Sequence, residues 1–166
     1  MKTTARHTPP LLLLLLLSAL AATQGEKPLV SPECLQCICL AQGCDMEKVC
    51  TEAAISCGPF QISRPFWLDG HQPVIPGDLH TDLWAFERCA DDPFCSAQAV
   101  EAYMTRYQKD CNSDGQVDCM DFMLIHLYGP GGCDGDRTQG PITIFISCWD
   151  SYKKQSSNIT SQALPN

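Results

Sequence analysis

The sequence of 166 residues has little positive charge, with 11 Lys and Arg against 19 Asp and Glu and a formal net charge of −8. Nucleic acids, anionic membranes and bacterial walls attract cationic patches, so we do not expect recognition by a cationic patch as a global mechanism. The chain also lacks the composition of a disordered protein, because 45% of it is hydrophobic and only 18% charged. The sequence has no Gly-X-Y repeat, so it does not indicate a collagen-like fibre. We therefore expect one compact domain that binds neither nucleic acid nor membranes.

Only the N-terminus carries a long apolar run, at residues 11–17. Lys2 and Arg6 precede this run, and residues 19–21 offer a small-x-small cleavage site. The run is shorter than the roughly 20 residues that span a bilayer, so residues 1–25 predict a cleaved secretory signal peptide. Cleavage would remove two positive charges and no negative ones, leaving a formal charge of −10. We expect a secreted, soluble, extracellular monomer.

The twelve cysteines all follow the predicted signal peptide, and their number is even. An exported chain meets an oxidising compartment, so these cysteines predict disulfides, with a pairing that the sequence leaves open. A zinc site at Cys34 and Cys37 is the alternative, but none of the four histidines lies at ligand spacing beside them. The cysteines are Cys34, Cys37, Cys39, Cys44, Cys50, Cys57, Cys89, Cys95, Cys111, Cys119, Cys133 and Cys148.

Two segments predict helices. Residues 93–108 follow an Asp-Asp-Pro start, and their apolar residues recur at spacings of three and four. Residues 119–127 form the second, which a Gly-Pro-Gly-Gly run stops. Short helices pinned by disulfides are expected over residues 34–57, and a long loop over residues 69–86.

The C-terminal part has a different pattern. Residues 142–146 are β-branched and aromatic and predict a strand, whereas residues 150–166 are polar and predict a disordered tail. Asn158 begins a glycosylation sequon, which fits an exported chain. The fold class predicted from these elements is α+β, predominantly α: a small disulfide-rich domain over residues 26–149 with a short β element.

An acidic loop lies between the two predicted helices, at residues 110–121. Its oxygen-bearing residues fall at the ligand positions of an EF-hand, with Gly115 at the sharp turn. Asp121 replaces the usual bidentate Glu at the last position and is one methylene shorter, which lowers the expected affinity. The alternative is a solvated acidic turn held by its cysteines. The candidate ligands of a structural calcium ion are Asp110, Asn112, Asp114, Gln116, Asp118 and Asp121.

Several motifs in order resemble the invertebrate-type, destabilase-like lysozymes. They are Cys34-Leu-Gln-Cys37-Ile-Cys39, Ser56-Cys-Gly-Pro-Phe-Gln-Ile62, Phe66-Trp67-Leu-Asp69, Cys89-Ala-Asp-Asp-Pro-Phe-Cys95, Tyr103-Met-Thr-Arg-Tyr107, Ile125-His126 and Gly129-Pro130-Gly131-Gly132-Cys133. The resemblance covers residues 34–133. It implies a lysozyme-like fold and hydrolysis of the β-1,4 bond between N-acetylmuramic acid and N-acetylglucosamine in peptidoglycan, with no cofactor required for the chemistry.

The two carboxyl groups of that family are absent from their usual positions. The family Glu falls three residues after Cys39, at Gln42, and counting back from Cys44 gives Ala41 instead. The family Asp falls at Thr51. Glycoside hydrolysis needs an acid that delivers a proton and a carboxylate that stabilises a cationic sugar, so hydrolysis is expected to be weakened or lost. Substituted carboxyls at Glu47 and Glu52 are the fallback, although acids at turns commonly only cap or meet solvent.

The resemblance also implies sites beyond the carboxyl pair. Some members are isopeptidases that use a Ser and a His; the Ser position is Ala54, while His126 is retained. Without a nucleophile, His126 is expected to pack rather than catalyse. The candidate substrate-binding residues are Phe66, Trp67, Asp69 and His126, with burial of the two aromatics in the core as the alternative.

Three functional hypotheses follow. The chain is an active lysozyme with substituted acids, or a member that binds peptidoglycan or a related amino-sugar polymer without cutting it, or a calcium-stabilised extracellular interaction protein. The missing carboxyls favour the second over the first. The acidic loop and the segment after Cys133 favour the third.

Overall fold

The structure is a computed structural model that describes residues 28–47, 49–138 and 140–162, with side chains described through residue 158. Within these ranges the chain is mainly helical. The helices are α1 (Pro32–Ala41), α2 (Arg64–Asp69), α3 (Ala85–Asp91), α4 (Pro93–Tyr107), α5 (Cys119–Tyr128) and α6 (Pro141–Gln162). The β structure described is an isolated antiparallel bridge between Cys57 and Ile62. The predicted small, predominantly α domain with a short β element is confirmed.

Side-chain caps fix the starts of four helices, including α2, where the Ser63 hydroxyl accepts the Phe66 N–H at 3.3 Å. The Ser31 hydroxyl accepts a hydrogen bond from the Cys34 N–H at 3.2 Å, and the Asp92 carboxylate accepts one from Cys95 N–H at 2.7 Å. Asp118 and Asp121 form a capping box at the start of α5. Each cap satisfies backbone donors that the first helical turn leaves unpaired. The predicted helices over residues 93–108 and 119–127 are confirmed within one residue at their ends.

The predicted strand over residues 142–146 is wrong, because this segment begins α6. A strand would place residues 142, 144 and 146 on one face, yet Ile144 is 51% exposed while Ile142 and Phe145 are fully buried. The buried and partly buried positions recur at helical spacing, with Trp149 and Tyr152 continuing the inner face. Packing of this face overrides the β preference of its isoleucines.

The polar segment that follows is also helical rather than disordered, since α6 continues to Gln162. Lys153 pairs with Asp150 at 2.9 Å along the helix, and the Tyr152 hydroxyl donates to Gln36 Oε1 on α1 at 2.6 Å. The last four residues of the predicted tail and the predicted signal peptide lie outside the described residues. Asn158 lies exposed on the last turns of α6, and its glycosylation stays a prediction.

The core lies where α1 packs against α6 and where α4 packs against α2, α3 and α5. Its largest fully buried side chains include Trp67, Phe145 and Ile38. All twelve cysteines are paired, as predicted. The bonds are Cys34–Cys119, Cys37–Cys148, Cys39–Cys44, Cys50–Cys57, Cys89–Cys95 and Cys111–Cys133. The first two join α1 to α5 and α6 across 85 and 111 residues, whereas the third and fourth close short rings in and beside the segment after α1.

The expected loop over residues 69–86 is shorter than predicted. It runs between α2 and α3, because Asp69 still belongs to α2 and residues 85 and 86 already belong to α3. Short helices were expected over residues 34–57. The structure has one helix there, α1, which ends at Ala41, and the described residues that follow it are irregular.

Candidate functional site

A small cleft of about 70 Å³ lies in the segment that carries the predicted site. Its lining residues are Val49, Cys50, Thr51, Ala54, Ser56, Cys57, Gly58 and Gln61. The Cys50–Cys57 disulfide forms part of its wall, and the Ser56 hydroxyl donates to Gln61 Oε1 at 3.2 Å. The cleft therefore presents hydroxyl, amide and backbone groups, and none of its described lining residues carries a carboxylate.

Two contacts hold the cleft segment against α3. The Asp91 carboxylate accepts the Cys50 N–H with both oxygens, at 2.9 and 3.0 Å. Gly58 lies so close to the end of α3 that a Cβ atom built on it would stand 1.7 Å from the Ala90 carbonyl oxygen, and its φ of +68° favours glycine as well. The sequence indicated neither partner, because Cys50 and Asp91 are 41 residues apart.

The two positions that replace the expected carboxyls differ in their surroundings. Gln42 is the half-buried C-terminal cap of α1, and its N–H donates to the Cys39 carbonyl at 2.9 Å. Thr51 is exposed and borders the cleft. The fallback acids Glu47 and Glu52 are exposed on the same irregular segment, and neither borders the cleft. Of these four residues only Thr51 borders the cleft, and it carries no carboxyl group.

Phe66 and Trp67 belong to the core rather than to a sugar groove. Trp67 is 2% exposed, and its indole N–H donates to the Pro73 carbonyl at 2.7 Å. Phe66 stacks on Tyr103 with ring centroids 3.8 Å apart. Neither ring offers a free face to a ligand. Both residues therefore belong to the core, which is the alternative that the sequence left open.

Asp69, the third expected substrate-binding residue, is paired at the surface. Its carboxylate lies 3.3 Å from the Arg106 guanidinium, which also stands over the Tyr107 ring at 5.2 Å. The side chains of Asp69 and Arg106 are each about half exposed, at 41% and 49%. This pair ties α2 to α4 and lies outside the lining of the cleft.

His126 on α5 is an expected site residue whose burial fixes its protonation. Its Nε2 lies 2.9 Å from the Phe60 carbonyl, which requires a proton on that nitrogen, whereas Nδ1 is sealed from solvent without a hydrogen-bond partner. Burial lowers the pKa of His126 to about 4, against a smaller opposing effect of the Phe60 carbonyl. The imidazole is therefore neutral at pH 7. Because Ala54 supplies no nucleophile, the arrangement supports packing rather than isopeptidase chemistry.

The acidic loop at residues 110–121 is closed by its own hydrogen bonds. Asp110 accepts bonds from the backbone of Ser113, Asp114 and Gly115 at 2.7 to 3.3 Å. Asp121 is fully buried and accepts N–H groups of Cys111, Asn112 and Asp118 at 2.7 to 3.1 Å. The remaining Asp118 carboxylate caps Met120.

These contacts do not fit the coordination expected for calcium. The side chains at the ninth and twelfth loop positions, Asp118 and Asp121, are engaged with the backbone at the start of α5. Among the residues that the structure describes, no group of three or more His, Cys, Asp or Glu side chains is placed to hold a metal ion. Gln116 is exposed and donates its own N–H to Asp114. Calcium binding stays a prediction, and no chemistry is assigned to it.

Comparison with known proteins gives the family. A family model described as Destabilase matches residues 31–151. The chain belongs to the invertebrate-type lysozymes. It is similar to invertebrate-type lysozyme 2 of Caenorhabditis elegans, with 36% identity over 116 residues, 66% of this chain and 80% of the relative. Invertebrate-type lysozyme 3 of the same organism is 35% identical over 124 residues, 71% of this chain and 86% of the relative.

Solved structures of lysozymes share the fold. The lysozyme of Meretrix lusoria in complex with Aeromonas hydrophila PliI superposes with a TM-score of 0.52 and 31% identity, over 68% of this chain and 85% of that one. The family match extends beyond the expected boundary at Cys133 and includes the first half of α6. Cys148, which anchors α6 to α1, therefore lies inside the family domain.

A buried carboxylate, Glu87, is paired with the half-exposed Arg64. Glu87 on α3 is 7% exposed, and its Oε1 lies 2.5 Å from Arg64 on α2. Arg64 also stands over the Phe86 ring at 5.0 Å. The residues are 23 positions apart in segments without regular periodicity, so no local pattern could have signalled the pair.

Proposed function

We propose that this invertebrate-type lysozyme recognises bacterial peptidoglycan or a related amino-sugar polymer and has lost most or all hydrolysis. The observation that carries the proposal is the cleft lined by Thr51 and Ala54, whose described lining has no carboxylate. An antimicrobial or immune-recognition role would then rest on binding rather than on cutting the wall.

The chemistry of the substituted groups supports this proposal. A retaining glycosidase needs two carboxyls about 5 to 5.5 Å apart, one to protonate the leaving oxygen and one to trap or stabilise the cationic sugar. The neutral amide of Gln42 has no proton to deliver at physiological pH, and the hydroxyl of Thr51 carries no negative charge. Both can still accept and donate hydrogen bonds to sugar hydroxyls. Recognition can therefore survive the loss of turnover.

The same proposal includes an extracellular setting. Pairing of all twelve cysteines fits an oxidising compartment. Among the described residues, no helix combines the length and apolar character that crossing a bilayer requires. We propose that the chain is secreted and acts as a monomer on glycan, and that it binds neither nucleic acid nor membranes. Its negative charge gives no long-range attraction to any anionic surface, so recognition of the wall would rest on local contacts with the sugar.

A paired assay tests binding and hydrolysis separately. Disulfide-intact protein is sedimented with insoluble peptidoglycan, and clearing of peptidoglycan-rich cells is followed by turbidity in parallel. We expect the protein to sediment with the walls and the suspension to stay turbid. Failure to sediment would contradict recognition, and clearing would contradict the loss of hydrolysis.

A double variant tests whether the loss of hydrolysis comes from the two family positions. Gln42→Glu combined with Thr51→Asp restores a carboxyl at each family position, and we expect it to clear cells faster than the wild type. Equal clearing by both proteins would contradict the assignment of the loss to these two positions. The control is Gln98→Glu, which adds an acid at an exposed position of α4 away from the cleft.

Residual hydrolysis through substituted acids is the second candidate. Glu52 follows Thr51 directly, and Glu47 lies on the same exposed segment, so a rearrangement on substrate binding would be needed to bring either acid to the sugar. If the wild type clears cells, Glu47→Gln and Glu52→Gln identify the acid: the responsible variant should lose turnover and keep its melting temperature. Retained turnover in both variants would eliminate this candidate.

A further inference from the structure

A second surface with ligand-binding character lies along α6, outside the cleft. Two open depressions of about 640 and 450 Å³ follow the helix, and Tyr152 and Gln155 border both of them. Trp149 borders the second depression and a third of about 230 Å³ beside α5. Because neighbouring depressions share these residues, we describe the three together as the α6 groove. None of its lining residues belongs to the cleft.

The two aromatic side chains of the α6 groove are held in fixed positions. Residues three apart lie on one face of a helix, so Trp149 and Tyr152 stand side by side. Trp149 lies nearly parallel to the Phe145 ring, with an interplanar angle of 20° and centroids 6.5 Å apart. The Tyr152 hydroxyl donates to Gln36 Oε1 at 2.6 Å. Both rings are partly buried and border the open depressions, so each offers preorganised apolar surface at the groove.

The lining differs along the groove: the largest depression is mainly polar and uncharged, the second also carries Glu33 and Lys153, and the third is mostly apolar. Hydroxyl groups of Thr143, Ser147 and Ser151 border the largest depression, together with the exposed amide of Gln155. The charge of Lys153 is balanced by Asp150 at 2.9 Å. Aromatic surface beside hydroxyl and amide groups suits a pyranose ring, which has an apolar C–H face and a polar rim.

The charges at the groove argue against an anionic polymer. The charged residues of the described lining are Glu33, Asp118 and Lys153, and Lys153 is paired with Asp150. The whole chain also carries a formal charge of −8. A neutral polymer of N-acetylated amino sugars pays no electrostatic cost on this surface, and its acetamido groups match the amide and hydroxyl lining. The groove is open at the surface, so an internal stretch of a long chain can enter it without a free end.

We propose that the α6 groove is a second glycan-binding site, which takes N-acetylated amino-sugar chains against Trp149 and Tyr152. The proposal rests on the proposed function for the choice of polymer, and on the groove alone for the place of binding. Binding at two separated surfaces would hold one protein on a repetitive wall longer than either surface alone.

The indole N–H signals in a ¹H–¹⁵N spectrum test the place of binding directly. The chain has three tryptophans, of which Trp67 is buried with its N–H bonded to Pro73, and Trp84 is 40% exposed outside the groove. Titration with a soluble N-acetylglucosamine oligomer should shift the Trp149 signal in a saturable way and leave the other two unchanged. No shift of Trp149 at saturating oligomer would overturn the proposal.

Sedimentation of variants separates this site from the proposed function. Trp149→Ala should weaken binding to insoluble peptidoglycan by roughly tenfold, as expected for the loss of one stacking ring. Trp84→Ala is the matched control and should bind as the wild type does. Because Trp149 packs on Phe145, Gln155→Ala provides a variant at an exposed position that should weaken binding without lowering the melting temperature.

The outcomes are distinguishable. If the wild type and both groove variants sediment equally, the groove proposal is overturned while wall recognition stands. If the wild type fails to sediment but its Trp149 signal shifts with oligomer, the groove stands and wall recognition fails. If neither effect occurs, both proposals are overturned.

Discussion

The α6 side of the molecule and the cleft side are held together in different ways. On the α6 side, fully buried Ile142 and Phe145 pack into the core, and the Cys37–Cys148 disulfide joins positions 111 residues apart. The cleft side consists of an irregular segment whose disulfides, Cys39–Cys44 and Cys50–Cys57, span only 5 and 7 residues.

This difference bears on where the sequence can change. Exposed side chains on a short cross-linked segment contribute little to the free energy of unfolding, so replacing a carboxyl there costs little stability. Thr51, Glu47 and Glu52 all lie exposed on that segment. The fold can therefore persist through the α6 side while the chemistry of the cleft changes.

The largest expected effect tests the packing of α6. Phe145→Ala should lower the free energy of unfolding by about 3 to 5 kcal/mol, because it leaves a cavity beneath a fully buried ring. Its neighbour Ile144 is 51% exposed, so Ile144→Ala should stay within about 0.5 kcal/mol of the wild type. Chemical denaturation of both variants measures the difference. Equal losses would mean that α6 does not present this face to the core.

The next prediction compares a long-range disulfide with a local one. The double variant Cys37→Ser, Cys148→Ser should lower the free energy of unfolding by about 2 to 5 kcal/mol, because it releases a long loop in the unfolded chain. Replacing Cys39 and Cys44 with Ser should cost less, since that ring closes over 5 residues. Thermal melts of the two double variants give the ranking, and the opposite order would refute the comparison.

The pH dependence of stability tests the contact between α5 and the turn at Phe60. The folded pKa of His126, about 4, is lower than its ordinary value of 6.5. Its contribution is therefore fully present above pH 6.5 and is lost as the pH falls toward 4, to a total of about 3 kcal/mol. His126→Gln should flatten the unfolding free energy in this window, whereas His71→Gln, at an exposed position, should leave the slope intact. An unchanged slope in the His126 variant would assign the effect to other groups.

The smallest expected effect concerns the acidic loop. A site with a dissociation constant of about 10⁻⁴ M would add about 1.4 kcal/mol of stability in 1 mM-scale calcium. The alternative is the hydrogen-bonded turn, in which Asp121 accepts three backbone N–H groups. Melting temperatures measured with calcium and with a chelator decide between them. A higher melting temperature with calcium supports a bound ion, whereas equal melting temperatures support the hydrogen-bonded turn.

Local signals in the sequence were sufficient for some elements and not for others. Asp92 and Asp118 mark the starts of α4 and α5, because a cap acts through residues two or three positions away. The start of α6 carries no such local signal, because its β-branched residues favour a strand, while the packing of Phe145 and Trp149 that makes it helical is tertiary. The disulfide pairing and the Asp91–Cys50 contact join distant positions that no periodicity relates.

In the candidate site, too, some features depend on position along the chain and others on tertiary packing. Motif spacing indicates the segment that borders the cleft and predicts that Gln42 and Thr51 stand at the family's carboxyl positions, since both depend on positions along the chain. The burial of Phe66 and Trp67 could not be separated from groove exposure by sequence, because an aromatic residue serves either purpose. Their neighbours Tyr103 and Phe86, which come from other helices, decide the matter.

The two long-range disulfides of α1 also determine how the molecule responds to proteolysis. The loop between α2 and α3 carries exposed residues such as Leu79 and Leu83, which are 64% and 79% exposed, and an exposed loop of this kind is where a protease cuts first. A single cut there separates the chain into two pieces, yet Cys34–Cys119 and Cys37–Cys148 both run from the first piece to the second. The nicked protein keeps its mass until a reductant is added, so its two pieces separate only on a reducing gel.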